Sequence, residues 1–460
     1  MTTFETDYLV VGAGAMGMAF VDTLLTETAD TDTTVTLIDD GHQPGGHWNR
    51  SYPFVRLHQP SAYYGVNSRP LGDDLVDTTG WNAGFLELAT GNEVCSYYEQ
   101  VLHHHLLPTD RLTYLPMARY LGHNRFRTLD GTEHSVVARR RVVDATYLRT
   151  EVPAMRPPPF AVGSGVHVVA PNDLPRHAPG HERFTIVGAG KTGIDVCLWL
   201  LRLGVAPERL RWIVPRDAWL MNRAGVQPGP GFRTSLVTAT QAVFEANSLD
   251  DLLLRLEAKD NLLRVDPSVV PTMYHCAIVS LRELEHLRRI RDVVRMGRVL
   301  MVEADRMTLQ DGDIATTADT LYVDCTAAGL SRPPAVPVFD GERITLQSLR
   351  GCQQVFSSAL IARVETGYPD DDARNALCAP VPHPDVPLDW LRITLSDNLA
   401  QARWLQDPGL TAWLESARLN AVRGVFPELA SEDTREATVT ALTAAMAATN
   451  DRLSALMSTD

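Results

Sequence analysis

The residues best suited to chemistry gather around two glycine-rich turns. The first, Gly12-Ala13-Gly14-Ala15-Met16-Gly17, follows the apolar run at 8–11 and opens a stretch carrying Met18, Phe20, Val21, Leu24 and Leu25 on one helical face. That order is strand, tight turn, helix. Gly12 permits the turn, Gly14 allows a pyrophosphate to approach the backbone, and Gly17 lets the helix pack against the strand. The helix N-terminus then offers free N–H groups and the positive end of its dipole to phosphate. A second unit, FTIVGAGKTGIDVCLWLL at 184–201, repeats the element with Gly188, Gly190 and Gly193. Two such units amount to an internal repeat at the scale of a domain.

The strands that follow the two turns end in opposite charge. TTVTLIDD at 33–40 ends in Asp39, with Asp40 competing by one position. A carboxylate there accepts hydrogen bonds from adenosine ribose hydroxyls and repels a 2′-phosphate, so the first site is expected to take FAD or NAD and not NADP. RLRWIVPR at 209–216 ends in Arg216, whose guanidinium suits a 2′-phosphate. Lys191, inside the second turn, adds charge near phosphate. NADPH is therefore expected at the second site, the alternative being an arginine that merely lies on the surface.

Between the two units, GGHWNRSYPFVRLHQPSAYYGV at 45–66 has few periodic apolar residues and many aromatic and polar ones. A long segment of that kind after a nucleotide site usually wraps a ligand. Its pattern, GG-x-W followed by Y-P-x-x-R-L-H-x-P-S-x-x-Y, resembles the flavin-containing monooxygenase superfamily. The resemblance implies an α/β fold of two Rossmann-like dinucleotide-binding domains, one for FAD and one for NADPH. It places Gly46, Trp48 and Arg56 beside the FAD, and Thr192 with the second glycine turn beside NADPH. His58 faces the flavin, and His58 and Gln59 are the implied catalytic pair, hydrogen-bonding flavin N5 or a peroxide; Arg56, Tyr63 and Tyr64 are further candidates. Taken without the resemblance, His58 reads as a hydrogen-bonded loop histidine. The family's FxGxxxH segment is missing, and HVVAPNDLPRH at 167–177 stands in that region, so the resemblance is to a divergent member.

The implied activity is that of a flavin-dependent monooxygenase. NADPH reduces FAD, a C4a-(hydro)peroxyflavin forms with O₂, and a small organic substrate is oxygenated, N-hydroxylation of an amine being one option. The competing readings are an NADPH oxidase or a quinone or electron-carrier reductase, and a non-catalytic flavin-binding partner protein. Dithiol chemistry is not expected, because 47–59 holds no cysteine and no CxxC pair occurs.

The expected organisation is an N-terminal FAD part at 1–165, including a small antiparallel meander within 111–147. An NADPH domain follows at 182–332 with a helical insert at about 233–295, built from helices at 236–246, 249–257 and 278–295. The FAD domain is completed at 333–384, with a strand passing into a helix at 355–364. A helical C-terminal segment, 385–460, would cover the flavin cleft or form a homodimer contact; the sequence leaves both open.

The 460 residues carry a formal net charge of −14, which argues against nucleic acid or an anionic membrane as partner. The N-terminus shows neither the basic region nor the cleavage site of a signal peptide, and no apolar run approaches the ~20 residues of a membrane span. With six scattered cysteines, the expectation is a cytoplasmic protein of free, buried thiols without a metal site. The run His103-His104-His105 does not change this, because neighbours on a helix point about 100° apart.

Overall fold

The computed structural model describes residues 2–327 and 329–458. Ala328, in the small-residue turn expected at the end of 321–330, lies outside the described residues, as do Met1, Thr459 and Asp460.

The apolar run before the first turn is the inner end of β1 (Thr3–Val11), which is followed by α1 (Ala15–Glu27) and β2 (Val35–Ile38). Later come α2 (Gly91–Val101), β3 (Leu112–Leu115), β4 (Arg119–Gly122), β5 (Arg125–Arg127) and β6 (Glu133–Asp144). β1 lies between β2 and β6 and runs parallel to both, while β3 adds in parallel beyond β2. Residues 8–11 are buried because both faces of a parallel sheet are covered. β4 pairs antiparallel with β5, and β5 with β6, forming the expected meander. On the other side β6 pairs in parallel with Arg343–Thr345, so the chain returns to the first sheet after the second domain. The segment expected to pass from strand to helix is helical throughout, Gln354–Gly367. Val355, Phe356, Ala359, Leu360 and Ile361 are all buried in the core shared with α1.

The second glycine unit has its own fully parallel sheet, in the order Asp292–Val294, Leu210–Ile213, Arg183–Val187, Thr320–Asp324, His167–Val169. The two sheets share a detail. β6 runs into Asp144-Ala145-Thr146 and Thr320–Asp324 into Asp324-Cys325-Thr326. Each aspartate accepts hydrogen bonds from the backbone N–H and the hydroxyl of the threonine two residues on, at 2.9 and 2.7 Å for Asp144 and at 3.0 and 2.5 Å for Asp324. The turn after each strand therefore packs under its glycine loop in the same way.

The insert differs from the expectation. Helices Pro230–Glu245 and Leu249–Ala258 are present, but 278–295 is not one helix. Ile278 and Val279 end the strand Met273–Val279, a capping box between Ser280 and Glu283 starts the short helix Leu281–Leu287, and Val293 and Val294 enter the second sheet. The capping box fixes a start inside the run, and β-branched residues at both ends favour strand. The insert is thus a helix pair on a three-stranded sheet, Leu262–Leu263, Ala218–Asn222 and Met273–Val279.

The thiol expectation is also corrected. Cys276 and Cys352 form a disulfide across a sequence separation of 76 residues, while Cys95, Cys197, Cys325 and Cys378 are free. The bridge joins the strand Met273–Val279 of the insert to the loop that opens Gln354–Gly367 in the first domain. Neither cysteine belongs to a local motif, so spacing could not pair them.

The C-terminal segment holds helices Leu388–Trp404, Pro408–Ser416 and Glu432–Met457, the first packed on the last. No helix among the described residues is long and apolar enough to cross a membrane.

Candidate functional site

At the first turn Gly12 has φ +105°, a conformation that favours glycine. A Cβ on Gly17 would lie 1.9 Å from the Gly12 carbonyl oxygen, so only glycine lets α1 approach the strand. Gly14 is the N-cap of α1, and no side chain among the described residues caps that end. Asp39 reaches this loop. Its Oδ2 accepts the Ala13 N–H at 2.5 Å and its Oδ1 the Gly41 N–H at 2.6 Å. Burial raises its pKa against the lowering by those two amides. Asp40 is exposed, so Asp39 is the acidic residue at the turn.

The segment 45–66 closes over the same loop. Gly45 donates its N–H to the Ala13 carbonyl at 2.9 Å, and a Cβ on Gly46 would lie 3.0 Å from Gly14 Cα. Trp48 Nε1 donates to the Tyr64 hydroxyl at 2.7 Å, with the rings edge to face. The Arg56 side chain is turned outward, donating to the Leu88 carbonyl at 3.2 Å. Tyr63 is buried with its hydroxyl unpartnered among the described residues.

The second turn repeats the geometry. Gly188 has φ +119°, and a Cβ on Gly193 would lie 2.1 Å from the Gly188 carbonyl oxygen. Gly190 caps helix Lys191–Arg202 without a side-chain partner, and a Cβ there would meet nothing within 4 Å. Thr192, half-buried, lies in that first turn of helix. Lys191 is engaged otherwise than toward phosphate. Its Nζ pairs with Asp195 and donates to the Arg56 carbonyl at 3.0 Å, while the Tyr52 hydroxyl donates to Asp195 Oδ2 at 2.8 Å. Lys191 thus ties the second domain to the 45–66 segment.

His58 sits at this junction, with Gln59 partly buried beside it. The backbone N–H of Ile278 donates to His58 Nδ1 at 3.1 Å, which leaves the proton on Nε2 of a neutral ring. Burial, and then the Lys191 and Arg223 cations, push its pKa down to about 3. Arg223 donates its Nε to the His58 carbonyl at 3.2 Å and pairs with Glu283 at 2.8 Å. The ring is therefore an uncharged donor held at Nδ1 from the insert.

Arg216 follows the second strand of the second sheet as expected, and there Nη2 pairs with Asp385 Oδ1 at 2.8 Å. The first site of the chain has no arginine in the corresponding place; Asp39 fills it. Among residues not singled out by sequence, Arg418 is prominent. It donates to the carbonyls of Ala62, Tyr64 and Val66 at 2.7, 2.7 and 2.5 Å, so the C-terminal segment clamps the end of the 45–66 segment. Its signal is invisible in sequence, since it lies in no motif. The histidine run is engaged locally, His103 with Glu99 at 3.3 Å and His105 with Asp22 at 3.6 Å.

No family model matches the chain. An uncharacterized protein of Mycobacterium tuberculosis (strain H37Rv) is 55% identical over 460 residues, covering 99% of this chain and 85% of the relative. The chain belongs to its family. A protein of Mycobacterium bovis in this family matches with the same identity and coverage. Among solved structures, OTEMO in complex with FAD and NADP matches at 15% identity and a TM-score of 0.50, covering 78% of this chain and 83% of that one. The chain therefore has the fold of OTEMO. The open form of cyclohexanone monooxygenase matches at 15% identity and TM-score 0.47 over 94% of this chain and 99% of that one.

Proposed function

We propose that the protein is an FAD- and NADPH-dependent monooxygenase of the flavin-containing monooxygenase superfamily, acting on a small organic substrate. The observation that carries this reading is the seating of 45–66 between two dinucleotide turns: Gly46 against Gly14 on one side, and Lys191 and Ile278 against Arg56 and His58 on the other. The residues present fit both cofactors. Each turn ends in an uncapped helix N-terminus, Asp39 suits ribose hydroxyls, and Arg216 suits a 2′-phosphate. OTEMO, with the same fold, was solved with FAD and NADP.

Bound FAD supplies hydride acceptance from NADPH and activation of O₂. The protein's part is to orient and to keep water away. Gly14 and Gly190 admit the pyrophosphates, Gly46 and Trp48 border the flavin, and His58 offers a neutral Nε2–H donor toward it. Gln59, Tyr63 and Tyr64 complete the polar lining, and Arg418 holds that loop shut from the C-terminal side. A neutral donor at His58 suits a site that must not hand a proton prematurely to a reactive oxygen species. N-hydroxylation of an amine is the finer reading; oxygenation at sulfur or beside a ketone are the other outcomes.

The test is product formation with amine, sulfide and ketone substrates. Oxygenated product forming in step with NADPH consumed supports the reading. Recovery of all electrons as hydrogen peroxide with every substrate class would replace it with an NADPH oxidase.

A further inference from the structure

Arg216 does not stand alone. Three groups converge on a single carboxylate oxygen, Asp385 Oδ1: Arg216 Nη2 at 2.8 Å, His275 Nε2 at 2.9 Å and Arg332 Nη1 at 3.3 Å. With Asp385 itself, the four residues come from four separate stretches of chain. Arg216 follows the second strand of the second sheet, His275 lies on Met273–Val279, Arg332 on the crossover back to the first domain, and Asp385 on the loop before Leu388–Trp404. Donation by Arg216, then by His275, holds Asp385 well below the usual carboxylate range.

The cluster has more donors than its one carboxylate can accept. Two guanidinium groups carry five N–H donors each, and a carboxylate oxygen has room for about two hydrogen bonds. Arg332 Nη2 also lies 2.5 Å from His275 Nε2, so that ring nitrogen cannot serve both neighbours well. Close by, His383 Nδ1 and Ser331 Oγ are buried without a hydrogen-bond partner among the described residues, and both side chains line a cavity with Arg332. Arg216, Arg332 and Asp385 are each about a third exposed (38, 34 and 38%), so an outside anion can reach them. The loop bearing Asp385 is held by its backbone: Tyr274 donates to the Asp385 carbonyl at 3.0 Å, and Asp389 accepts the Asp385 N–H at 2.8 Å. The carboxylate can therefore leave the cluster by side-chain rotation alone.

We propose that Asp385 is an internal stand-in for the 2′-phosphate of NADPH, and that Arg332 and His275 complete with Arg216 the site this phosphate takes when it displaces the carboxylate. A dianion with three acceptor oxygens satisfies both guanidinium groups, which one carboxylate oxygen cannot. Asp385 then lowers the affinity of the second site for the 2′-phosphate, which must displace it, while a nucleotide without that phosphate leaves the cluster as it is. This rests on the reading of the second site as the NADPH site.

The experiment is calorimetric binding of 2′,5′-adenosine bisphosphate and of 5′-AMP to the full-length protein and to three variants. Asp385→Asn is expected to bind the bisphosphate about two- to fivefold tighter, the effect of one ion pair lost from the free state, with 5′-AMP unchanged. Arg332→Gln is expected to weaken the bisphosphate and leave 5′-AMP unchanged; opposite signs in two variants of one cluster do not arise from misfolding. If Asp385→Asn binds the bisphosphate no tighter, or Arg332→Gln binds it unchanged, the stand-in is overturned. Arg216→Gln separates the two levels. If it keeps the wild-type preference for bisphosphate over 5′-AMP, the NADPH reading of this site fails as well; if it loses the preference, that reading stands whatever Asp385 does.

Discussion

Ile278 donates its backbone N–H to Nδ1 of His58 across the boundary between the two domains, at 3.1 Å. The hydrogen bond fixes the tautomer: the proton is on Nε2, and the ring is neutral because burial and two nearby cations disfavour a third charge. The only histidine of the 45–66 segment after Trp48 is thus set by a residue far away in sequence.

His58 is therefore expected to stay neutral well below the usual histidine range. Its folded-state pKa, about 3, lies below the ordinary value of 6.5. Folding then favours the neutral ring: the associated stability is complete above about pH 6.5 and is lost progressively as pH falls toward 3. Nitrogen chemical shifts of His58 should report the Nε2–H tautomer unchanged from pH 8 to about 5. A titration centred near 6.5 would contradict this.

The two glycine turns should fail separately. Gly17→Ala places a Cβ 1.9 Å from the Gly12 oxygen, and Gly193→Ala places one 2.1 Å from the Gly188 oxygen. Backbone cannot yield cheaply, and overpacking of this kind costs about 1–3 kcal/mol. Gly17→Ala should purify without flavin, whereas Gly193→Ala should keep its flavin and lose reduction by NADPH. Loss of flavin from both would argue against separate sites.

Much of this was legible from local spacing. Gly12 to Gly17, Gly188 to Gly193, Asp39 and Arg216 all lie within single strand–turn–helix units, where backbone geometry dictates residue type. The parallel sheets followed from the same units. What sequence could not give are contacts between distant segments: Ile278 on His58, Arg418 on residues 62–66, Asp385 on Arg216, and the Cys276–Cys352 bridge. The run at 278–295 was misread because its arginine and leucine spacing suits a helix, while a capping box at Ser280 and valines at its far end divide it. Lys191 lies in the glycine turn as expected, yet a neighbouring carboxylate one helical turn on, Asp195, draws its charge away.

The clamp by Arg418 should matter for stability and flavin together. Arg418→Ala removes three charge-assisted hydrogen bonds and leaves the Ala62, Tyr64 and Val66 carbonyls without that donor. A loss of about 2–4 kcal/mol in unfolding free energy is expected, with faster flavin release. An unchanged denaturant midpoint would show that the C-terminal segment does not hold the loop.

The disulfide gives a direct count. Of six cysteines, four should react with a thiol reagent in the denatured, unreduced protein, and all six after reduction by a dithiol. Closure over 76 residues is worth about 4 kcal/mol in the chain-entropy model, so Cys352→Ser should melt lower by a comparable free energy. Six reactive thiols before reduction would rule the bridge out.

The most direct test of the two-site reading is anaerobic reduction of the protein's bound FAD by NADPH against NADH at equal concentration. NADPH is expected to bleach the flavin at least about tenfold faster, because on the proposed reading Arg216 takes the 2′-phosphate that NADH lacks. Equal rates with the two nucleotides, or a purified protein that holds no flavin, would contradict it.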